Sequence, residues 1–172
     1  MNAVAAIRAG ELVILPTDTV YGLCGAESDE VARRIAELKG RDASQPIALL
    51  FADLEPALER APGLERAADL LPGPFTLIVG TLGVRVPALP AEAAAVVREL
   101  GSVLATSANQ HGGPDPRRLA DVPPEIRAAC AAELDAGELP GVPSTVIDLN
   151  GPEPRILREG AVPAAEALAR LR

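Results

Sequence analysis

PTDTVYGLCGAESDEVARRIAELKGR, residues Pro16 to Arg41, follows directly on the apolar tetrad LVIL, Leu12 to Leu15, and this junction decides the fold. LVIL is apolar on both faces, the pattern of a strand covered by helices on each side. The stretch after it reads as a tight Thr/Asp/Tyr/Gly turn leading into a helix. Ser28 caps that helix, Asp29 and Glu30 complement the positive end of its dipole, and Val31, Ile35 and Leu38 share one face with Arg33, Arg34 and Glu37 outside. The helix delivers Lys39 and Arg41 at its C-terminal end. The chain's one lysine and one tyrosine both fall in this stretch, and every other fixed cation is one of fifteen arginines. Against that bias Lys39 marks a position that wants a compact ammonium rather than a planar guanidinium.

Working outward, residues 2–9 carry Val4 and Ile7 at helical spacing and stop at Gly10. Downstream, Ile47 to Phe51 is a second fully apolar strand, and Asp53 to Leu71 is helical with a break at Pro62-Gly63. Phe75 to Val79 and Val84 to Val86 are separated by too few residues for a crossover, so they pair antiparallel. A helix from Ala91 has Val96, Val97 and Leu100 inward. Ser102 to Thr106 is a strand, and Pro123-Pro124 starts a helix with Ile126, Cys130 and Leu134 on one side. Ser144 to Leu149 and Arg155 to Leu157 form a final antiparallel pair, and Pro163 opens a closing helix that turns Leu168 and Leu171 inward. The expectation is an α/β fold: a twisted mixed sheet of about seven strands with flanking helices, one domain over 1–172. Gln110 to Val122, rich in Gly and Pro, is the candidate mobile loop.

With 172 residues, 48% of them hydrophobic and 2% aromatic, the chain can bury an aliphatic core without disulfides. Cys24 and Cys130 fit a reduced, cytoplasmic protein. The start reads as no signal peptide, and no apolar run approaches the length of a membrane span. A net charge of −8 argues against coating RNA by bulk electrostatics, although a locally basic cleft is compatible with it.

Polar clusters stand at the ends of the apolar strands, where α/β sheets open onto ligand crevices: Thr17-Asp18-Thr19, Arg85, Ser107-Ala108-Asn109, Ser144-Thr145 and Arg158. Hydroxyl, amide and guanidinium groups together suit an anionic, hydrogen-bonding ligand. Taken singly, each has an ordinary structural role as well. Thr19, Ser107 and Asn109 are turn formers, Lys39 and Arg41 complement a helix C-terminus, and Tyr21 is a core residue with a bonded hydroxyl. His111 is the one histidine, so a His-based triad or multi-His metal site is excluded, and no dinucleotide or P-loop glycine signature is present.

Together the blocks PTDTVYGL, KGR, PGPFT (Pro72 to Thr76), VRVP (Val84 to Pro87), TSAN (Thr106 to Asn109), STVID (Ser144 to Asp148) and LREG (Leu157 to Gly160) resemble, in that order, the YrdC/Sua5 family of threonylcarbamoyl-AMP synthases. The resemblance covers nearly the whole chain. It implies a sheet with a large concave cavity and a reaction joining L-threonine, bicarbonate and ATP, with Mg2+ carried by the nucleotide. The product then passes to a threonylcarbamoyl-transferase machinery that modifies tRNA. It also implies site residues: Arg41, Gln45, Ser107, Asn109 and Arg158 toward ATP, Thr19, Tyr21, Arg85 and Ser144 toward threonine, and Lys39 with Arg41 as the catalytic cations. No membrane role and only a weak tRNA contact are expected. The chain departs from the family pattern at Gln45, where Asn is common, at Leu50, where long members place a histidine, and at Arg117, where Thr is frequent. It reads as the short form. Two other readings stay open: a non-catalytic RNA-binding or ribosome-assembly module using the same cleft, and a carbamoyl-transferring relative of the hydrogenase-maturation type.

Overall fold

Nine strands form one sheet in the computed structural model, which describes residues 2–171. In chain order the elements are α1 (Ala3–Arg8), β1 (Leu12–Pro16), β2 (Tyr21–Gly25), α2 (Asp29–Lys39), β3 (Ala48–Leu50), α3 (Leu54–Arg60), β4 (Phe75–Val79) and β5 (Leu82–Arg85). There follow α4 (Ala91–Leu100), β6 (Val103–Ser107), α5 (Pro124–Ala128), β7 (Cys130–Glu133), β8 (Thr145–Asp148), β9 (Arg155–Arg158) and α6 (Ala164–Ala169). Short 3-10 turns occupy Leu64–Leu70 and Leu119–Asp121. Across the sheet the order is β7-β1-β2-β6-β3-β5-β4-β8-β9. β1 runs parallel to β7, β3 to β5 and β4 to β8, and the remaining neighbours are antiparallel.

The mixed sheet and the two antiparallel hairpins, β4–β5 and β8–β9, are as the sequence predicts, but the strand count is nine rather than about seven. The two additions have a common cause. β2 reads YGLCG, with two glycines that disfavour a strand, yet it pairs on both sides: Cys24 lies opposite Val13 of β1 and opposite Ala105 of β6. The expected turn is therefore confined to Thr17 to Val20. β7 reads CAAE, and Ile126, Cys130 and Leu134 keep helical spacing, so the helix was expected to run on. It stops at Ala128, and Cys130 to Glu133 instead add a parallel edge to Leu12 to Ile14. Pairing with neighbours overrides local propensity in both.

β1 explains why the sheet holds two layers apart. All five of its residues are buried. Leu12 and Ile14 enter one core with Leu23, Val31, Ile35, Phe75, Leu77 and Ile126, while Val13 and Leu15 enter the other with Ile7, Cys24, Leu50, Ala93 and Val97. Each such Leu, Ile or Val contributes about 1.5–3 kcal/mol relative to exposure. α2 forms as its sequence dictates: Ser28 Oγ accepts from the Val31 N–H at 3.2 Å, and Gly40, with φ of 63°, closes the C-terminus. Its buried stripe is Val31, Ile35, Ala36 and Lys39, so the lysine points inward rather than to solvent.

Candidate active site

Between β6 and β9 the sheet opens onto a cavity of about 200 Å3. It exists because small residues lie where β6 and β3 pair: Ala105 sits opposite Ala48, and neither fills the space above the sheet. Thr76 of β4 and Val146 of β8 are register partners farther along, and Val146 faces Arg158 of β9. Thr19 and Val20 come from the β1–β2 turn, Arg85 from the end of β5, Ser107 from the end of β6, Asp115 from the following loop, and Pro143-Ser144 from the approach to β8. Five residues of the sequence-defined set, Thr19, Arg85, Ser107, Ser144 and Arg158, thus line one cavity.

Arg85 is held from behind. Its Nη2 donates to Asp18 Oδ1 and to Thr19 Oγ1, both at 3.2 Å, and Asp18 Oδ2 accepts from the Ala88 N–H at 3.2 Å. Each side chain of the Arg85–Asp18 pair is only 11% exposed. Burial pushes the Asp18 carboxyl up and the neighbouring Arg85 charge opposes it; burial likewise pushes Arg85 down, with Asp18 opposing. Arg85 Nε is buried and has no partner among the described residues. A buried donor left unpaired costs about 1–3 kcal/mol. The turn beneath is fixed by Thr17, whose Oγ1 donates to Val20 O at 2.7 Å and accepts from the N–H groups of Thr19 and Val20.

On the opposite wall, Arg158 donates through Nη2 to Ser144 O at 2.7 Å, and the Ser144 and Thr76 hydroxyls lie 2.7 Å apart. Gly160 makes this approach feasible. A Cβ there would lie 2.2 Å from Pro143 O and 2.5 Å from Ser144 O.

Lys39 lies behind the Ser107 wall. Its Nζ donates to Ser107 O, to Asn109 O at 2.6 Å and to Asn109 Oδ1 at 3.0 Å. Ser107 Oγ donates to the same Asn109 Oδ1 at 2.6 Å, and Asn109 Nδ2 donates to Gly113 O at 2.8 Å. Burial pushes the ammonium down to about 8, the Arg41 charge acts in the same direction, and Asp115 acts against it. Lys39 and Asn109 therefore shape the Ser107 turn from beneath and are absent from the lining. Arg41 is also off the lining: its Nη2 donates to Gln45 O at 2.6 Å and Pro46 O at 3.1 Å, securing the loop that carries Pro46 to the cavity, and its Nε is buried without a partner among the described residues. Gln45 is exposed and contributes its carbonyl to this contact. Tyr21 is fully buried. Its hydroxyl lies 2.8 Å from both Asp135 Oδ1 and Gly137 O and accepts from the Ala136 N–H at 3.0 Å. It serves as an anchor for the segment that leads to Pro143.

Three polar lining residues were missed by the sequence reading. Thr76 and Thr106 stand in the quoted blocks PGPFT and TSAN without having been singled out, and Asp115 lies in a loop whose Gly and Pro content hid it. Leu50 is 1% exposed and packs in the core, and Arg117 pairs with Glu138 at 2.7 Å on the surface. Among the described residues no group of three or more His, Cys, Asp or Glu side chains is placed to hold a metal ion.

A mixed α/β sheet whose strand ends enclose arginines and hydroxyls defines a class, that of twisted-sheet proteins with a polar, arginine-lined cavity. The Sua5/YciO/YrdC family model, described as telomere recombination, matches residues 5–160, and the chain belongs to that family. It is 37% identical to the threonylcarbamoyl-AMP synthase of Pyrococcus abyssi over 93% of its length, spanning 53% of that relative. With the threonylcarbamoyl-AMP synthase of Chromohalobacter salexigens identity is 36% over 88% of the chain and 93% of the relative. The crystal structure of P. abyssi Sua5 complexed with L-threonine superposes with a TM-score of 0.84 at 35% identity, over 98% of this chain and 56% of that one. The chain therefore spans about half the length of the archaeal relative and nearly all of the bacterial one.

Proposed function

We propose that this protein is an L-threonylcarbamoyladenylate synthase, a nucleotidyltransferase that makes threonylcarbamoyl-AMP and pyrophosphate for the N6-threonylcarbamoyladenosine modification of tRNA. The observation that carries this reading is the convergence of Thr19, Arg85, Ser144, Ser107 and Arg158 on one cavity, in a chain whose relatives bear that name. The threonine amine takes up bicarbonate to give the carbamate and water. A carbamate oxygen then attacks the α-phosphorus of ATP, and pyrophosphate leaves with its electron pair. The threonine carbamate and ATP are both anionic, so cations must offset their repulsion.

In this reading the Arg85 guanidinium, which lines the cavity, receives the threonine carboxylate. The hydroxyls of Thr19, Ser144 and Thr76 meet the threonine side chain, and Ser107 and Arg158 meet the nucleotide phosphates. Lys39, Asn109, Arg41 and Gln45 hold the phosphate side in shape, and Tyr21 holds the segment that presents Ser144. Mg2+ enters on the triphosphate as part of the substrate. The product passes to a transferase acting on tRNA in the cytoplasm. No helix among the described residues is long and apolar enough to cross a membrane. Pyrophosphate release measured with purified protein is expected only when ATP, L-threonine and bicarbonate are all present. Equal release with threonine omitted would sink the proposal, and tight RNA binding without adenylate formation would favour the non-catalytic alternative.

A further inference from the structure

Asp115 is the one acidic residue among the cavity's lining residues. Its carboxylate makes no hydrogen bond or ion pair with any described residue, although Arg85 and Arg158 line the same cavity and Lys39 lies near enough for its charge to be felt. Lys39 directs its contacts to Ser107 and Asn109 instead. The position of Asp115 is nonetheless well fixed. It stands between Pro114 and Pro116, whose rings restrict the backbone. On one side Gly113 O accepts from Asn109 Nδ2 at 2.8 Å, and on the other Pro116 O accepts from the Tyr21 N–H at 3.1 Å. An anchored carboxylate with no protein cation awaits one from the ligand.

The Pro116–Tyr21 bond places this loop beside the β1–β2 turn, and Thr19 of that turn accepts from Arg85 Nη2. Arg85 and the unpaired Asp115 carboxylate are thus both held beside the same short turn. That pairing of charges matches a zwitterion. We infer that Asp115 binds the α-ammonium of the amino-acid substrate, opposite the carboxylate held by Arg85, and so selects α-amino acids over uncharged analogues. The inference rests on the synthase reading and adds to it the recognition of the amine. A magnesium ion on the triphosphate is the competing cation, because the same loop is also tied to Asn109 on the phosphate side; the KM for threonine and the Mg2+ requirement of Asp115→Asn separate the two.

The test compares wild type with Asp115→Asn and Asp115→Glu. Calorimetry is run with L-threonine and with 2,3-dihydroxybutanoate, which replaces the ammonium by a hydroxyl. Wild type is expected to prefer threonine by about tenfold or more, a preference that Asp115→Asn abolishes and Asp115→Glu partly restores. In the pyrophosphate assay Asp115→Asn raises the KM for threonine by a similar factor and leaves the KM for ATP and the Mg2+ requirement unchanged. Equal binding of the two ligands by wild type overturns the assignment, as does an Asp115→Asn variant with normal threonine KM and an increased Mg2+ requirement. If wild type discriminates between the ligands but releases no threonine-dependent pyrophosphate, the synthase reading fails while the ammonium site stands.

Discussion

At the scale of single residues, Lys39 holds one wall of the cavity without facing it. Three oxygens of the Ser107–Asn109 turn converge on its ammonium, an arrangement that a neutral amine with two N–H groups cannot fully satisfy. Burial pushes this group down to about 8, so raising the pH through that value removes a donor from the turn. Turnover is therefore expected to fall as pH rises through about 8. Lys39→Arg, whose guanidinium does not titrate there, is expected to lose that falling limb, as a pH–rate profile of both proteins will show. Lys39→Ala is expected to lower turnover at least ~10-fold, equivalent to about 1.4 kcal/mol, with the circular dichroism spectrum retained. The oddity of a lone lysine among arginines was visible in the sequence. Its partners, two backbone carbonyls and an amide some seventy residues later in the chain, were not, because no pattern of residue types marks a carbonyl as a ligand.

At the scale of elements, the cavity depends on β8 and β9 meeting closely at their cavity end. Gly160, just past β9, lies so near Pro143 O and Ser144 O that any Cβ would collide with backbone rather than with a side chain able to move. Gly160→Ala is expected to destabilise the protein by about 1–3 kcal/mol, measured by urea denaturation, and to weaken ATP binding by displacing Arg158 from Ser144. A Gly160→Ala protein with wild-type stability would show that this contact is soft. Elements were legible in proportion to their own signals. α2 announced its cap, its acidic first turn and its apolar stripe. β2 and β7 did not announce themselves, because Tyr21 to Gly25 and Cys130 to Glu133 are strands by virtue of β1 and β6 beside them.

At the scale of the molecule, a formal charge of −8 surrounds a cavity whose charged lining groups are two arginines and one aspartate. Small anions can enter such a cavity, while an extended polyanion meets a repulsive exterior. Binding of unmodified tRNA at physiological salt is accordingly expected to be no tighter than about 1 μM by filter binding, the weak non-specific range; nanomolar binding would contradict this distribution of charge. By itself the sequence determined the layered α/β class, because apolar runs and helical stripes are local patterns, and it determined the membership of the strand-end clusters. Only the tertiary structure decided which of their members share the cavity. Pro16 to Arg41 supplies Thr19 to the lining but turns Tyr21 toward Asp135 and Lys39 toward Ser107. The physical reason is that a side chain's direction follows from strand register and from partners distant in the chain, and neither is written in the residues next to it.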